Sequence, residues 1–102
     1  MNYSQKYLHR EHRYDEARQA YESALQHRPA LAAAHNGLGA TLMALGDGPT
    51  AERELRAAAD LDRGDPNPLL NLALLRTRAG DREGAEQARN EASARGPLMQ
   101  VN

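Results

Sequence analysis

Two histidines near the start of the chain are the residues best suited by type to metal binding. His9 and His12 are three positions apart, with Glu11 between them. At this spacing two imidazoles could lie on one side of a metal ion, although the pair straddles the predicted end of the first helix. No third ligand follows in register, and the neighbouring residues are mostly polar or charged. We therefore interpret this stretch as a solvated segment and predict no metal site.

The patterns that accompany catalysis are missing from the rest of the sequence. The chain has no cysteine, which excludes thiolate nucleophiles, disulfides and thiolate metal sites. It also lacks a glycine-rich phosphate loop and a serine nucleophile motif. His35 is interpreted as a core residue whose polar tip is hydrogen-bonded. The sequence thus predicts a protein that is not an enzyme and holds no cofactor.

Composition and charge limit the classes of partner. A chain of 102 residues has the size of one domain, and 13 basic against 14 acidic residues leave a net charge of -1. Such a balance provides no field to attract nucleic acid or an anionic membrane. No apolar run reaches membrane-spanning length, and the first 13 residues are too polar for a signal peptide. We expect a cytoplasmic protein that neither binds nucleic acid nor inserts into a membrane.

One residue pattern occurs twice, 34 positions apart. The first copy contains Leu38-Gly39, Gly46-Asp47, Ala51 and Ala58, and the second contains Leu72-Ala73, Gly80-Asp81, Ala85 and Ala92. Subtracting 34 from the two alanine columns of the first copy gives Ala17 and Ala24. A fixed period of this length is typical of solenoids built from helical pairs. Small residues at these columns are expected where two helices approach most closely.

Apolar spacing together with glycine and proline stop signals predicts an all-α chain of six antiparallel helices. The predicted helices are Tyr3 to Arg10, Tyr14 to His27, Ala32 to Ala44, Pro49 to Leu61, Leu69 to Arg78 and Arg82 to Ala94. A turn is predicted near Glu11 to Arg13. Residues 98–102 form a tail without a structural signal.

At these columns the chain resembles the tetratricopeptide repeat family, whose pattern is an aromatic, Leu-Gly, an aromatic, and later Ala, an aromatic and Pro. The corresponding residues of the middle unit are His35, Leu38-Gly39, Leu42, Ala51, Leu55 and Arg63. The resemblance covers residues 1–97 and implies one domain of three units, about 1–31, 32–65 and 66–97. It also implies a helical-hairpin solenoid wound into a right-handed superhelix.

The resemblance further implies a protein-interaction or assembly scaffold. In this family the first helix of each unit lines a concave groove that binds a peptide or helix of another protein. Carried over by position, the groove-facing residues are Asn36, Ala40, Met43, Asn67, Leu70, Asn71, Leu74 and Arg78. The apolar content of this set favours an amphipathic helix or an apolar segment as the partner.

The fifth predicted helix leaves two interpretations open. It is apolar nearly all round, which is typical of a helix buried on every side, so Leu70 and Leu74 could belong to the core. Alternatively Leu69, Leu72 and Ala73 form the core stripe, and Leu70 and Leu74 form a second, exposed stripe that marks an interaction site.

Some members of the family hold a C-terminal carboxylate in a clamp of basic and amide side chains. The corresponding positions here are Asn2, Lys6, Gly37, Asn67 and Asn71, which lack most of the clamp. We therefore exclude that ligand. RNA reading by repeats is also disfavoured, because it needs a basic face and base-reading residues in the same column of each unit.

The two ends of the array are expected to differ. Arg76 and Arg89 occupy large apolar positions of the last unit, which predicts that the stack stops there. The first unit has Ser4-Gln5 in place of Leu-Gly, so its first helix lacks a convincing core stripe. An alternative function is therefore self-association into homo-oligomers, through the groove or through this open N-terminal end.

Overall fold

The computed structural model describes the backbone of residues 3–95 and the side chains of residues 13–95. It contains five helices: α1 (Tyr3–His27), α2 (Ala32–Leu45), α3 (Gly48–Leu61), α4 (Asn67–Arg78) and α5 (Arg82–Arg95). The described backbone contains no strand. The predicted all-α, helical-repeat fold class is confirmed.

Each helix packs against the next one along the chain. α2 and α3 form one hairpin and α4 and α5 form another, while α1 packs on α2 and α3 packs on α4. α2 and α4, the first helices of the two hairpins, also touch each other. The result is an elongated stack of 52 × 34 × 25 Å.

A glycine followed by an aspartate forms the turn of each hairpin. Gly46 and Gly80 have φ of 91° and 84°, the left-handed conformation that ends a helix and that glycine adopts without steric cost. The aspartate after each glycine directly precedes the first residue of the following helix. The Asp47 Oδ1 accepts from Thr50 N at 3.3 Å, and the Asp81 Oδ1 accepts from Gly84 N at 2.9 Å. These bonds satisfy amides that have no partner within the helix.

The first unit differs from the prediction, because α1 runs without interruption from Tyr3 to His27. The predicted turn near Glu11 to Arg13 is absent, so residues 3–95 contain five helices where six were expected. The physical reason is that Glu11, His12 and Arg13 are all compatible with a helix, and no glycine stands there to take the left-handed conformation.

Some expectations fall outside what the structure describes. The side chains of His9 and His12 and the tail at 98–102 are among them. The interpretation of the two histidines as a solvated segment stays a prediction.

The core consists of leucines that interlock with small residues. Leu55, Leu69 and Leu72 are completely buried. The repeated alanine columns are buried too, namely Ala51, Ala58, Ala85 and Ala92. The same columns of the first unit, Ala17 and Ala24, are half-buried.

Candidate functional site

The α4 helix has a buried face and an exposed apolar face. Leu69 and Leu72 have no exposed surface, whereas the exposed fractions of Leu70 and Leu74 are 46% and 43%. Leu70 and Leu74 are four residues apart, so they lie on the same side of the helix. The interpretation of these two leucines as core residues is wrong. Exposed apolar side chains that are grouped on one face are typical of an interaction surface.

The other residues of the predicted groove surround these leucines on α4 and on the adjacent α2. On α4, Asn67 and Arg78 are exposed and Asn71 is half-buried. On α2, Asn36, Ala40 and Met43 are half-buried. Met43 also packs against the core cluster of Leu38, Leu42 and Ala51, so part of its side chain serves the interior.

A side-chain hydrogen bond joins the two helices. The amide of Asn71 on α4 donates to the side-chain oxygen of Asn36 on α2 over 3.0 Å. This bond gives Asn71 a structural role between neighbouring units, because it bridges α2 and α4.

Charge is distributed unevenly between the helices. All 14 acidic residues lie outside α2 and α4. The arginines of these two helices are Arg76 and Arg78, both in the last turn of α4. The surface that α2 and α4 present is thus made of apolar and amide groups, with an exposed arginine at the C-terminal end of α4. The lack of acidic residues in these two segments can be read from the sequence. Contact between α2 and α4 in the structure shows that both segments belong to neighbouring helices.

Arg76 and Arg89 have different environments, which corrects the expectation that both face the open end of the stack. Arg76 donates from Nη2 to Glu52 Oε2 over 3.0 Å and from Nη1 to Gly84 O over 3.2 Å. It therefore links α3, α4 and the start of α5. Arg89 is exposed on α5.

A shallow depression of about 510 Å³ lies beside Arg76, between the start of α3 and the end of α4. Leu75 contributes apolar wall, and the Glu52–Arg76 ion pair closes one side. Both carboxylates that line the depression already accept hydrogen bonds, Glu52 from Arg76 and Asp81 from the backbone amide of Gly84.

His35 joins three parts of the fold. The Nδ1 lies 2.7 Å from Glu54 Oε1 on α3, and the Nε2 donates to Pro29 O over 2.8 Å. Its side chain is 17% exposed. The expected hydrogen bonding of its polar tip is confirmed, whereas the ring is half-buried and does not belong to the core clusters.

No metal-ligand cluster and no membrane-spanning helix occur in the described part of the chain. Among residues 13–95, no three His, Asp or Glu side chains are grouped so as to hold a metal ion. None of the described helices combines the length and apolar character needed to cross a membrane.

Comparison with known proteins agrees with this architecture. The family model described as tetratricopeptide repeat matches residues 8–67, which is more than half of the chain. A search of curated proteins gives no match. With helical hairpins repeating every 34 residues and this match, the chain belongs to the tetratricopeptide repeat family, whose members generally mediate protein–protein interaction or scaffolding.

Proposed function

We propose that the chain binds an apolar segment of a partner protein on the surface of α2 and α4, which we call the groove. The groove consists of Asn36, Ala40, Met43, Asn67, Leu70, Asn71, Leu74 and Arg78. The observation that carries the proposal is the exposure of Leu70 and Leu74, 46% and 43%, on a helix whose other leucine stripe is buried. The family is typically non-catalytic.

The energetics favour an apolar occupant. Complete burial of a leucine side chain contributes about 1.5–3 kcal/mol, so covering the exposed half of each of the two leucines contributes about 1 kcal/mol apiece. The groove set further contains Ala40 and part of Met43, which add apolar area between the helices. An amphipathic helix with apolar residues three or four apart matches the four-residue spacing of Leu70 and Leu74.

The asparagine pair supports a preformed binding surface. Because the Asn71–Asn36 bond already bridges α2 and α4, we expect little ordering of the groove on binding. Each of the two amides keeps unused hydrogen-bonding capacity after forming this bond. Those remaining groups are suited to the main chain of an extended or helical partner.

A comparison of three proteins tests the proposal. Three proteins would each be immobilised and exposed to lysate of the source cell. They are wild type, the double variant Leu70→Asp with Leu74→Asp, and the control Leu61→Asp. Leu61 is matched because it is also 46% exposed but lies at the end of α3. We expect wild type and Leu61→Asp to retain the same partner proteins and the double variant to lose them. Equal retention by all three proteins contradicts the proposal.

Folding must be checked in the same proteins, since aspartate in a core position would abolish binding indirectly. Helical circular dichroism and thermal midpoints of the variants should stay close to those of wild type. Light scattering over a range of protein concentrations identifies a second copy as the occupant if the mass of wild type doubles and the double variant remains a monomer.

A further inference from the structure

We infer that the groove selects apolar segments that carry an acidic residue at the end lying over Arg78. This inference rests on the proposed function and adds the chemistry and the orientation of the partner. It is carried by the charges of the groove-lining helices and by the bonding state of the residues around the end of α4.

The first argument is the segregation of charge. None of the 14 acidic residues belongs to α2 or α4, although α1, α3 and α5 each carry several. An acidic partner residue that approaches the groove therefore meets no carboxylate on the two helices that line it. Complementary charge of this kind sets the register and the choice of partner more than it adds affinity.

The second argument is the position of Arg78. Leu70, Leu74 and Arg78 follow one another at four-residue intervals, so all three share one face of α4. With a rise of 1.5 Å per residue, Arg78 stands about 6 Å beyond Leu74 along the helix axis. A segment lying on the two leucines thus reaches the guanidinium at one of its ends.

The third argument is that Arg78 has no bonding partner in residues 13–95, whereas its neighbours do. Arg76 is paired with Glu52. The nearest acid along the chain, Asp81, accepts a hydrogen bond from the backbone amide of Gly84 at the start of α5. Arg78 therefore keeps its donors available to a carboxylate of the partner.

Arg78 is also not needed to cap its own helix. The last carbonyls of α4 already accept backbone bonds, from Ala79 N to Leu75 O, from Gly80 N to Thr77 O and from Asp81 N to Arg76 O. An arginine in the last turn still interacts favourably with the helix dipole, but this leaves its hydrogen-bond donors unused.

The geometry predicts where the acidic residue should occur in the partner. Because about 6 Å separate Leu74 and Arg78 along the axis, the acid should lie about four residues from the nearest apolar contact in a helical partner. In an extended partner the two should lie about two residues apart. The spacing found by experiment distinguishes the two conformations.

The experiment is a selection from a random 12-residue peptide library displayed on phage, with wild type as the target. Peptides that also bind the Leu70→Asp, Leu74→Asp double variant are removed. We expect the remaining sequences to combine apolar residues with Asp or Glu at one flank. Selection on Arg78→Glu should remove this acidic preference, and selection on the control Arg89→Glu, an exposed arginine of α5, should preserve it.

Synthetic peptides then give the size of the effect by fluorescence anisotropy. Replacing the acid of a selected peptide by its amide should weaken binding to wild type about two- to fivefold at low salt, as expected for an exposed ion pair. The same replacement should have no effect on binding to Arg78→Gln, since the interaction is then already lost.

Two results overturn the inference in distinguishable ways. Leucine-dependent peptides without an acidic flank, or with one that survives Arg78→Glu, contradict the role of Arg78 and leave the proposed function standing. A selection that yields no leucine-dependent peptide contradicts the proposed function together with this inference.

Discussion

A methyl group added to Gly39 would lie 2.6 Å from Cγ of Leu55, so α2 and α3 touch where a hydrogen fits and a carbon does not. The same added carbon would lie 3.2 Å from the carbonyl oxygen of Ala51. The contact thus involves backbone as well as side chain, and it explains why the Leu-Gly column and the alanine column occur together in this repeat.

Gly39→Ala should destabilise the protein. Overpacking of a tight contact typically costs about 1–3 kcal/mol. The higher helix propensity of alanine offsets roughly 1 kcal/mol of this loss. We expect a net decrease of up to about 2 kcal/mol in the free energy of unfolding, measured by urea titration.

Gly37→Ala is the matched control for this change. The added carbon at Gly37 meets the outer end of the Tyr21 ring, and Tyr21 is half-buried and can turn aside. The loss should therefore be smaller than for Gly39→Ala. An equal or larger loss would show that the closest contact of α2 lies against α1.

Ala51→Leu and Ala85→Leu should each cost about 1–3 kcal/mol, because both alanines have essentially no exposed surface to accommodate a larger side chain. Ala94→Leu, on the exposed side of α5, provides the control and should leave the thermal midpoint nearly unchanged. Melting curves of Ala51→Leu and Ala85→Leu that coincide with wild type would contradict the 34-residue register.

The sequence predicted the two hairpins because each turn contains a glycine followed by an aspartate. Gly46 and Gly80 adopt the left-handed conformation, and the aspartates after them cap the next helix. The first unit has His12 in the glycine column, and this difference was the available signal that α1 would continue. The helix end predicted near Glu11 to Arg13 by analogy with the later units lacks the glycine that would terminate the helix.

Periodicity places a residue on a face of its helix, but it does not identify the partner on another helix. This is why Arg76 was expected at the open end of the stack, whereas its acceptor Glu52 lies 24 positions earlier on α3. The two stripes of α4 were likewise separable by spacing, yet exposure was needed to decide that Leu70 belongs to the outer one.

The two faces of α4 can be compared directly through one pair of neighbours. Leu69→Ala should cost about 2–5 kcal/mol, since Leu69 is fully buried and its removal leaves a cavity. Leu70→Ala should change the free energy of unfolding by about 0.5 kcal/mol or less, as is usual for exposed positions. Similar losses for both variants would mean that Leu70 is buried in solution, and the groove would then lose its central residue.

His35→Phe should cost about 1–3 kcal/mol, although it restores the aromatic residue typical of the family. The change leaves Glu54 on α3 and the carbonyl of Pro29 without their partner, and groups left unpaired at a half-buried position carry a desolvation penalty. Combining His35→Phe with Glu54→Gln in a double-mutant cycle separates the two bonds. Strictly additive losses would show that the His35–Glu54 contact contributes nothing to stability.

Arg95 should hold the last turn of α5 against α3. Its Nη1 donates to Ala59 O over 2.6 Å and its Nη2 to Glu91 Oε2 over 3.1 Å, and Glu91 also pairs with Arg56 of α3 over 3.2 Å. The Arg95 side chain is 11% exposed, so these bonds are largely shielded from water.

We expect Arg95→Ala to lower the free energy of unfolding by about 1–3 kcal/mol, because a charged donor is removed from a largely buried carbonyl. Amide exchange in the last turn of α5 should accelerate more than exchange in α2, since the lost bonds hold this end of α5.

Arg89→Ala is the control: Arg89 is exposed and forms no bond within residues 13–95, so its removal should change stability by about 0.5 kcal/mol or less. High salt should reduce the cost of Arg95→Ala little, because the bond to Ala59 O is shielded and its acceptor is uncharged. If Arg95→Ala and Arg89→Ala behave alike, the end of α5 is held by its buried alanines alone.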